Sequence, residues 1–133
     1  MKIYFFVIML IFILTSCASK QTENEDVLIS RIDILAQGNS LEDTNDMREV
    51  CKSFQLTRKQ VLLYYLESRE STETEIHDSY DILPCNSTGT ISINGEIFSW
   101  IIRAGGVGSF YNKHKNIFRV CDEACCKVTN GIC

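Results

Sequence analysis

Apolar and polar residues alternate along the chain in four distinct regimes. Lys2 is followed by an unbroken apolar run from Ile3 to Leu14, and then by Thr15-Ser16-Cys17. A membrane-spanning helix needs about 17–25 apolar residues. This run is shorter, and the polar stretch from Ser19 to Asp26 does not extend it. A positive start, a short apolar core and small residues at its end describe a secretory signal peptide over residues 1–16. Residues 17–26 read as a polar tether without apolar periodicity, and residues 27–133 as one domain.

Within the domain, Val27, Leu28, Ile29, Ile32, Ile34 and Leu35 suit a helix or a strand, with the helix favoured. Gln37 to Asn45 is rich in turn residues and ends that element. Asp46-x-x-Glu49 has a helix-start pattern, followed by Met47, Val50, Cys51 and Phe54 at helical spacing. Thr57-x-x-Gln60 is a second capping box, opening a helix with Val61, Leu62, Tyr65 and Leu66 on its apolar face. From Thr72 the period changes to two. Ile76, Tyr80 and Ile82 alternate with polar residues, as in a half-buried strand.

The sharpest local signal is Asn94-Gly95 between Thr90-Ile-Ser-Ile93 and Glu96–Arg103. Asn-Gly favours a two-residue hairpin turn because both central residues need positive φ. Such a turn places Ile91 opposite Phe98 and Gly89 opposite Trp100. Ile91, Ile93, Phe98, Trp100 and Ile102 then share a core face, and Gly89 leaves room for the indole. A further hairpin is expected around Asn112–Lys115. Helices followed by a strand meander predict an α+β fold: N-terminal helices packed on an antiparallel β-meander, stabilised by disulfides.

Cysteine and charge content refine this picture. Apart from Cys17 there are six cysteines: Cys51, Cys85, Cys121, Cys125, Cys126 and Cys133. An even number in a small exported domain implies disulfides, and six cysteines allow 15 connectivities. Adjacent Cys125 and Cys126 are expected to staple the tail to two elements. The tail lacks the Cys-x2-Cys knuckle of zinc sites, so neither metal nor cofactor is expected. Without residues 1–16 the chain carries 12 basic and 17 acidic side chains, a formal charge of −5. That balance argues against nucleic acid, which demands a basic footprint, and is compatible with a basic protein partner.

Candidate chemistry is sparse. Gly105-Gly106-Val107-Gly108 lies between predicted strands rather than before a helix, which points to a bend rather than a phosphate loop. His77 and Asp78 are neighbours in sequence, and on a strand they would face opposite ways. No Gly-x-Ser-x-Gly or His-Glu-x-x-His motif is present. The remaining candidate is a hairpin tip of Phe110, Tyr111, Lys113, His114 and Lys115, an aromatic-plus-basic combination suited to a protein contact.

Leu14-Thr15-Ser16-Cys17 resembles the lipobox of bacterial lipoproteins. The resemblance implies lipidation of Cys17, cleavage before it and a membrane anchor. Ala18 after the cysteine is similar to lipoproteins of enteric bacteria sent to the outer membrane, facing the periplasm; a Gram-positive surface lipoprotein is the alternative. Residues 54–108, with Phe54–Val61, Leu83-Pro-Cys85, Gly89-Thr90, Asn94-Gly95, Trp100 and Ala104–Gly108, resemble small envelope proteins of Gram-negative bacteria. That resemblance lends no catalytic residue. The expectation is a non-enzymatic, lipid-anchored envelope protein that binds a protein partner, as an inhibitor or immunity protein against an exported hydrolase or toxin. The alternatives are an accessory lipoprotein of envelope assembly and, third, a periplasmic hydrolase.

Overall fold

The structure is a computed structural model that describes residues 26–133. Cys17 and the signal-like run lie outside the described residues. The elements are β1 (Ile29–Ser40), α1 (Asn45–Cys51), α2 (Arg58–Glu67), β2 (Arg69–Ser71), α3 (Glu73–Ser79), β3 (Cys85–Ile93), β4 (Glu96–Arg103), β5 (Val107–Tyr111), β6 (Asn116–Val120) and α4 (Glu123–Val128). The strands form one six-stranded sheet in the order β1-β3-β4-β5-β6-β2. Every neighbouring pair is antiparallel. The fold is therefore mixed α+β, with three disulfides.

The β3–β4 hairpin has the register that its turn dictates. Asn94 and Gly95 take φ of 51° and 80°. Ile91 pairs with Phe98, and Gly89 with Trp100. Ile91, Ile93, Phe98, Trp100 and Ile102 are all buried. The Trp100 indole donates from Nε1 to the Thr90 carbonyl at 3.1 Å. A Cβ on Gly89 would lie 2.5 Å from the Trp100 ring and 2.0 Å from the Asp33 carbonyl of β1. No side chain fits there.

The first element is a strand, not the expected helix. Ile32 pairs with Ile91 and Ile34 with Gly89, so both reach the core side, while Leu35 points away and is exposed. A register shift between Ile29 and Arg31 marks a bulge. The extra residue brings Ile29 and Ile32 to the same core with a spacing of three, which imitates a helix. β-Branched side chains then favour the strand. The strand also runs through Gln37 to Ser40, where a turn was expected. Gly38, at φ 60°, lets the α1 end pass: a Cβ there would meet the Cys51 carbonyl at 2.7 Å.

Residues 73–79 are likewise helical rather than extended. Thr72 caps the Glu75 amide at 3.1 Å, and Ile76 and Tyr80 come together at a spacing of four on a second, smaller apolar cluster with Val107, Phe118 and Val120. The cap at Thr72 outweighs the alternation. Helix α1 starts from Thr44 rather than Asp46, and its Val50 is exposed. Helix α2 opens with the full Thr57–Gln60 capping box. It buries Val61, Tyr64 and Tyr65, whereas Leu66 is exposed. Together with Cys51, Phe54 and Leu56, these residues join the sheet side chains in the main core.

The bridges are Cys51–Cys85, Cys121–Cys125 and Cys126–Cys133. Only the first joins distant parts of the chain, the end of α1 and the start of β3, across 34 residues. The tail bridges span 4 and 7 residues, so Cys125 and Cys126 fold the tail on itself instead of stapling it to two elements. Attachment to the body comes from the buried Ile132, whose carbonyl accepts from the Gly105 amide at 2.8 Å, and from the Cys121 amide donating to Gly106 at 2.8 Å.

Loop-closure entropy rises with loop length, so the three bridges should differ in weight. Replacing Cys51 and Cys85 together with alanine is expected to cost about 3–4 kcal/mol. Replacing Cys121 and Cys125 together should cost about 2 kcal/mol. Urea unfolding of the two double variants tests the order, and equal losses would contradict it.

Candidate functional site

Alternation along the strands gives the sheet two unlike faces. Ile91, Phe98, Trp100, Ile102 and Phe110 enter the main core with α1 and α2. Thr90, Ser92, Ile97, Ser99, Ile101 and Tyr111 occupy the opposite face, by the observed register. Helix α3 covers the β5–β6 end of that face through Ile76 and Tyr80. Over the β3–β4 half, the described residues place no helix. Ile97 is 69% exposed there and Tyr111 45%. Beside Ile97 runs an open groove of about 450 Å³, lined by Arg31, Asp33, Thr90, Ser92 and Ile97 among others.

The β5–β6 tip divides the sequence candidates. Phe110 is fully buried, packed edge-on against Tyr65 with ring centroids 4.9 Å apart. It is a core residue and cannot contact a partner. Tyr111 follows on the other face and is accessible, as the period of a strand requires. Asn112 builds the turn: its Oδ1 accepts from the amides of His114 and Lys115, and its Nδ2 donates to Glu96. Lys115 leans inward, 5.3 Å from the Phe98 ring centroid and 3.9 Å from Glu96. Lys113 and His114 stay exposed at the tip. The accessible set is therefore Tyr111, Lys113, His114 and Lys115, joined by Ile97. Sequence reasoning missed Ile97, although the hairpin register already placed it among Thr90, Ser92 and Ser99 on the polar face.

Arg103, on the same face of β4, is half-buried, and its Nη1 has no hydrogen-bond partner among the described residues. Burial lowers its pKa from the usual guanidinium value. At the covered end, Arg69 donates to both Glu75 oxygens and to the Tyr80 hydroxyl. Ser71 donates to Glu75 at 2.7 Å. These bonds, those from Arg69 first, hold the Glu75 carboxyl at a pKa of about 2. They tie α3 to β2 and so fix where the covered half of the face ends.

Other candidates come apart. His77 and Asp78 are exposed on α3, and His114 sits in the β5–β6 turn. Neither imidazole is hydrogen-bonded to a carboxylate among the described residues. The glycine run is a turn between β4 and β5, with Gly105 and Gly106 at φ 89° and 85°. Gly108 is where the Tyr64 hydroxyl closes in, 2.8 Å from a would-be Cβ. That hydroxyl lies within hydrogen-bond distance of the Gly106 and Arg119 carbonyls, and burial pushes its pKa up. The sulfurs of Cys121, Cys126 and Cys133 lie within 4.8 Å of one another. Each is oxidised in a disulfide, and metal ligation by cysteine requires the thiolate.

No family model, curated protein or solved structure matches this chain.

The Arg69–Glu75 contact carries a pH signature. A depressed carboxylate pKa stabilises the fold above the ordinary value of 4.5, and this contribution disappears as pH falls through about 2. A carboxyl-detected NMR titration should find Glu75 near the lower value. Arg69→Ala should return it toward 4.5. A wild-type midpoint already at the ordinary value would show that the contact does not persist in solution.

Proposed function

We propose that this protein is a lipid-anchored envelope lipoprotein whose disulfide-held domain is a non-enzymatic binding module. Its partner is a basic exported protein, a hydrolase or toxin that it inhibits. The location rests on Lys2, the apolar run and Leu14-Thr15-Ser16-Cys17. The observation that carries the binding role is the uncovered half-sheet, where Tyr111 stands exposed, as does Ile97 beside a groove. An accessible aliphatic and a tyrosine, ringed by Thr90, Ser92 and Ser99, make an apolar centre with a polar rim. Arg103 brings to the same face a guanidinium nitrogen that a partner's carboxylate or carbonyl would satisfy.

A basic partner is supported by the distribution of acids. Glu42, Asp43, Asp46 and Glu49 are exposed around α1, and Glu67, Glu70, Glu73, Asp78 and Asp81 around α3. The α3 group lies toward the β6–β2 end of the sheet, which α3 covers. Opposite charge at the rim of a contact chiefly speeds and orients association.

The anchor is tested by Cys17→Ala. The variant should remain unprocessed or leave the membrane, as judged by carbonate washing and the mass of the N-terminal peptide. Efficient retention of a processed Cys17→Ala chain would refute the lipid anchor.

The binding role is tested by capture with the oxidised mature protein against envelope and secreted fractions. One stoichiometric basic protein is expected, and its own activity should fall on binding. Tyr111→Ala and Ile97→Ser should each weaken the complex about tenfold or more. Recovery of abundant envelope proteins alone, with no activity suppressed, would replace inhibition with the accessory role.

A further inference from the structure

A second groove lies at the entry of the domain, meeting the groove beside Ile97 at Ser30 and Arg31. It measures about 280 Å³ and is lined by Ile29, Arg31, Ile32, Arg58, Lys59 and Leu62, with Ser30. Its floor is aliphatic and its rim cationic. Arg58 is held in place by a 2.9 Å hydrogen bond from Nε to the Ile32 carbonyl, so its guanidinium crosses from α2 to the edge of β1. Arg31 is paired with Asp33. Arg58 and Lys59 have no ion pair among the described residues.

Three features make this groove unlike the rest of the surface. It is cationic in a domain that is acidic as a whole. Its cations open α2, whose first turn holds no acid; basic residues at a helix N-terminus oppose the helix dipole, so helix stability does not explain them. Apolar side chains are exposed around it: Leu28 is 65% exposed, Val27 44% and Leu66 50%. Arg58, Leu62 and Leu66 recur every four residues, so they line one side of α2.

The chain limits how far this surface can lie from Cys17. Val27 is ten residues from Cys17. Whatever its conformation, such a segment spans at most about 35 Å. A lipid on Cys17 would therefore keep this end of the domain close to the headgroups. We infer that the groove formed by Ile29, Arg31, Ile32, Arg58, Lys59 and Leu62 is a docking face for an anionic phospholipid surface, holding the domain against the membrane with the Ile97–Tyr111 face free. This inference rests on the anchored-lipoprotein reading. The chemistry is that of interfacial binding: cations pair with lipid phosphates while short apolar side chains enter the headgroup layer. One acyl signal alone holds weakly, and a basic patch is a second signal that also sets orientation.

Lysine acetylation of the mature protein on phosphatidylethanolamine vesicles, with or without about a quarter of phosphatidylglycerol, tests this orientation. Lys127, on α4, is the internal reference. With phosphatidylglycerol, acetylation of Lys59 should slow about fivefold relative to Lys127, and ~0.5 M salt should reverse the effect by screening. Arg31→Glu with Arg58→Glu should restore the Lys59 rate while leaving the melting temperature near that of the wild type. Lys59 reacting in step with Lys127 on anionic vesicles, or equal protection on neutral vesicles, would overturn the proposal. So would protection that appears only on adding an envelope extract, which would assign the groove to a protein. The mass of the N-terminal peptide reports acylation separately, so loss of the anchor and loss of the docking face are distinguishable. A chain that does not co-float with anionic vesicles fails on both counts.

Discussion

The sheet is organised around the missing side chain of Gly89. The Trp100 ring and the Asp33 backbone of β1 both occupy space that any Cβ at this position would claim. One position therefore sets how closely β1, β3 and β4 approach, and where the largest buried side chain lies. The Asn94-Gly95 turn makes this possible. It counts residues back along both strands and delivers Gly89 opposite Trp100. A slip of one residue would turn Trp100 toward the open face and leave the core without its centre. The Trp100 Nε1 bond to Thr90 then secures the indole without a buried unsatisfied donor.

From that centre the two faces diverge. The core face is closed by α1, α2 and the Cys51–Cys85 bridge, which ties the helical segment to the start of β3. Among the described residues, the other face receives only α3, a helix of seven residues. So short a helix has little intrinsic stability and depends on its contacts. It is held by Ile76 and Tyr80 below and by the Arg69–Glu75–Ser71 bonds at its start. It is long enough to cover Val107 and Val120, and the Ile97–Tyr111 region stays open. The open half-sheet thus follows from the length and anchoring of α3.

How much of this could be read from the chain depended on the range of the forces involved. The hairpin register was legible because a two-residue turn is a local constraint with one low-strain solution, and the Thr57 cap was legible for the same reason. Strand β1 was not. Its bulge shifts the apolar period from two toward three, and only pairing with β3 distinguishes it from a helix. In α3 a local cap and a local alternation disagreed, and tertiary contact with β5 and β6 decided in favour of the cap. Phe110 and Tyr111 could be separated only once the strand phase was known. For the cysteines, spacing offered no rule. The tail folds so that Cys121 lies close to the Cys126–Cys133 pair yet bonds Cys125, and that preference lies in α4 and the packing of Ile132.

The surface shows a division that neither charge nor hydropathy of the whole chain reveals. Exposed acids lie around α1, where Arg48 and Lys52 pair with two of them, and around α3. Arg58, Lys59 and Arg31 cluster where the chain enters the domain, near Asp26, and Lys113 and Lys115 at the β5–β6 tip. Uniform acidity would repel an anionic membrane from every side and leave an anchored domain to tumble on its tether. Segregated charge gives the domain a preferred side. If the entry groove lies on the lipid, the acidic margin near α3 and the exposed Ile97 and Tyr111 are left for a soluble partner, and a short tether becomes an advantage because it keeps the cationic end within reach of the headgroups. The membrane address and the binding surface then meet at Ser30 and Arg31 on β1, while Arg58, Lys59 and Leu62 of α2 serve only the first and can be changed without touching the Ile97–Tyr111 face.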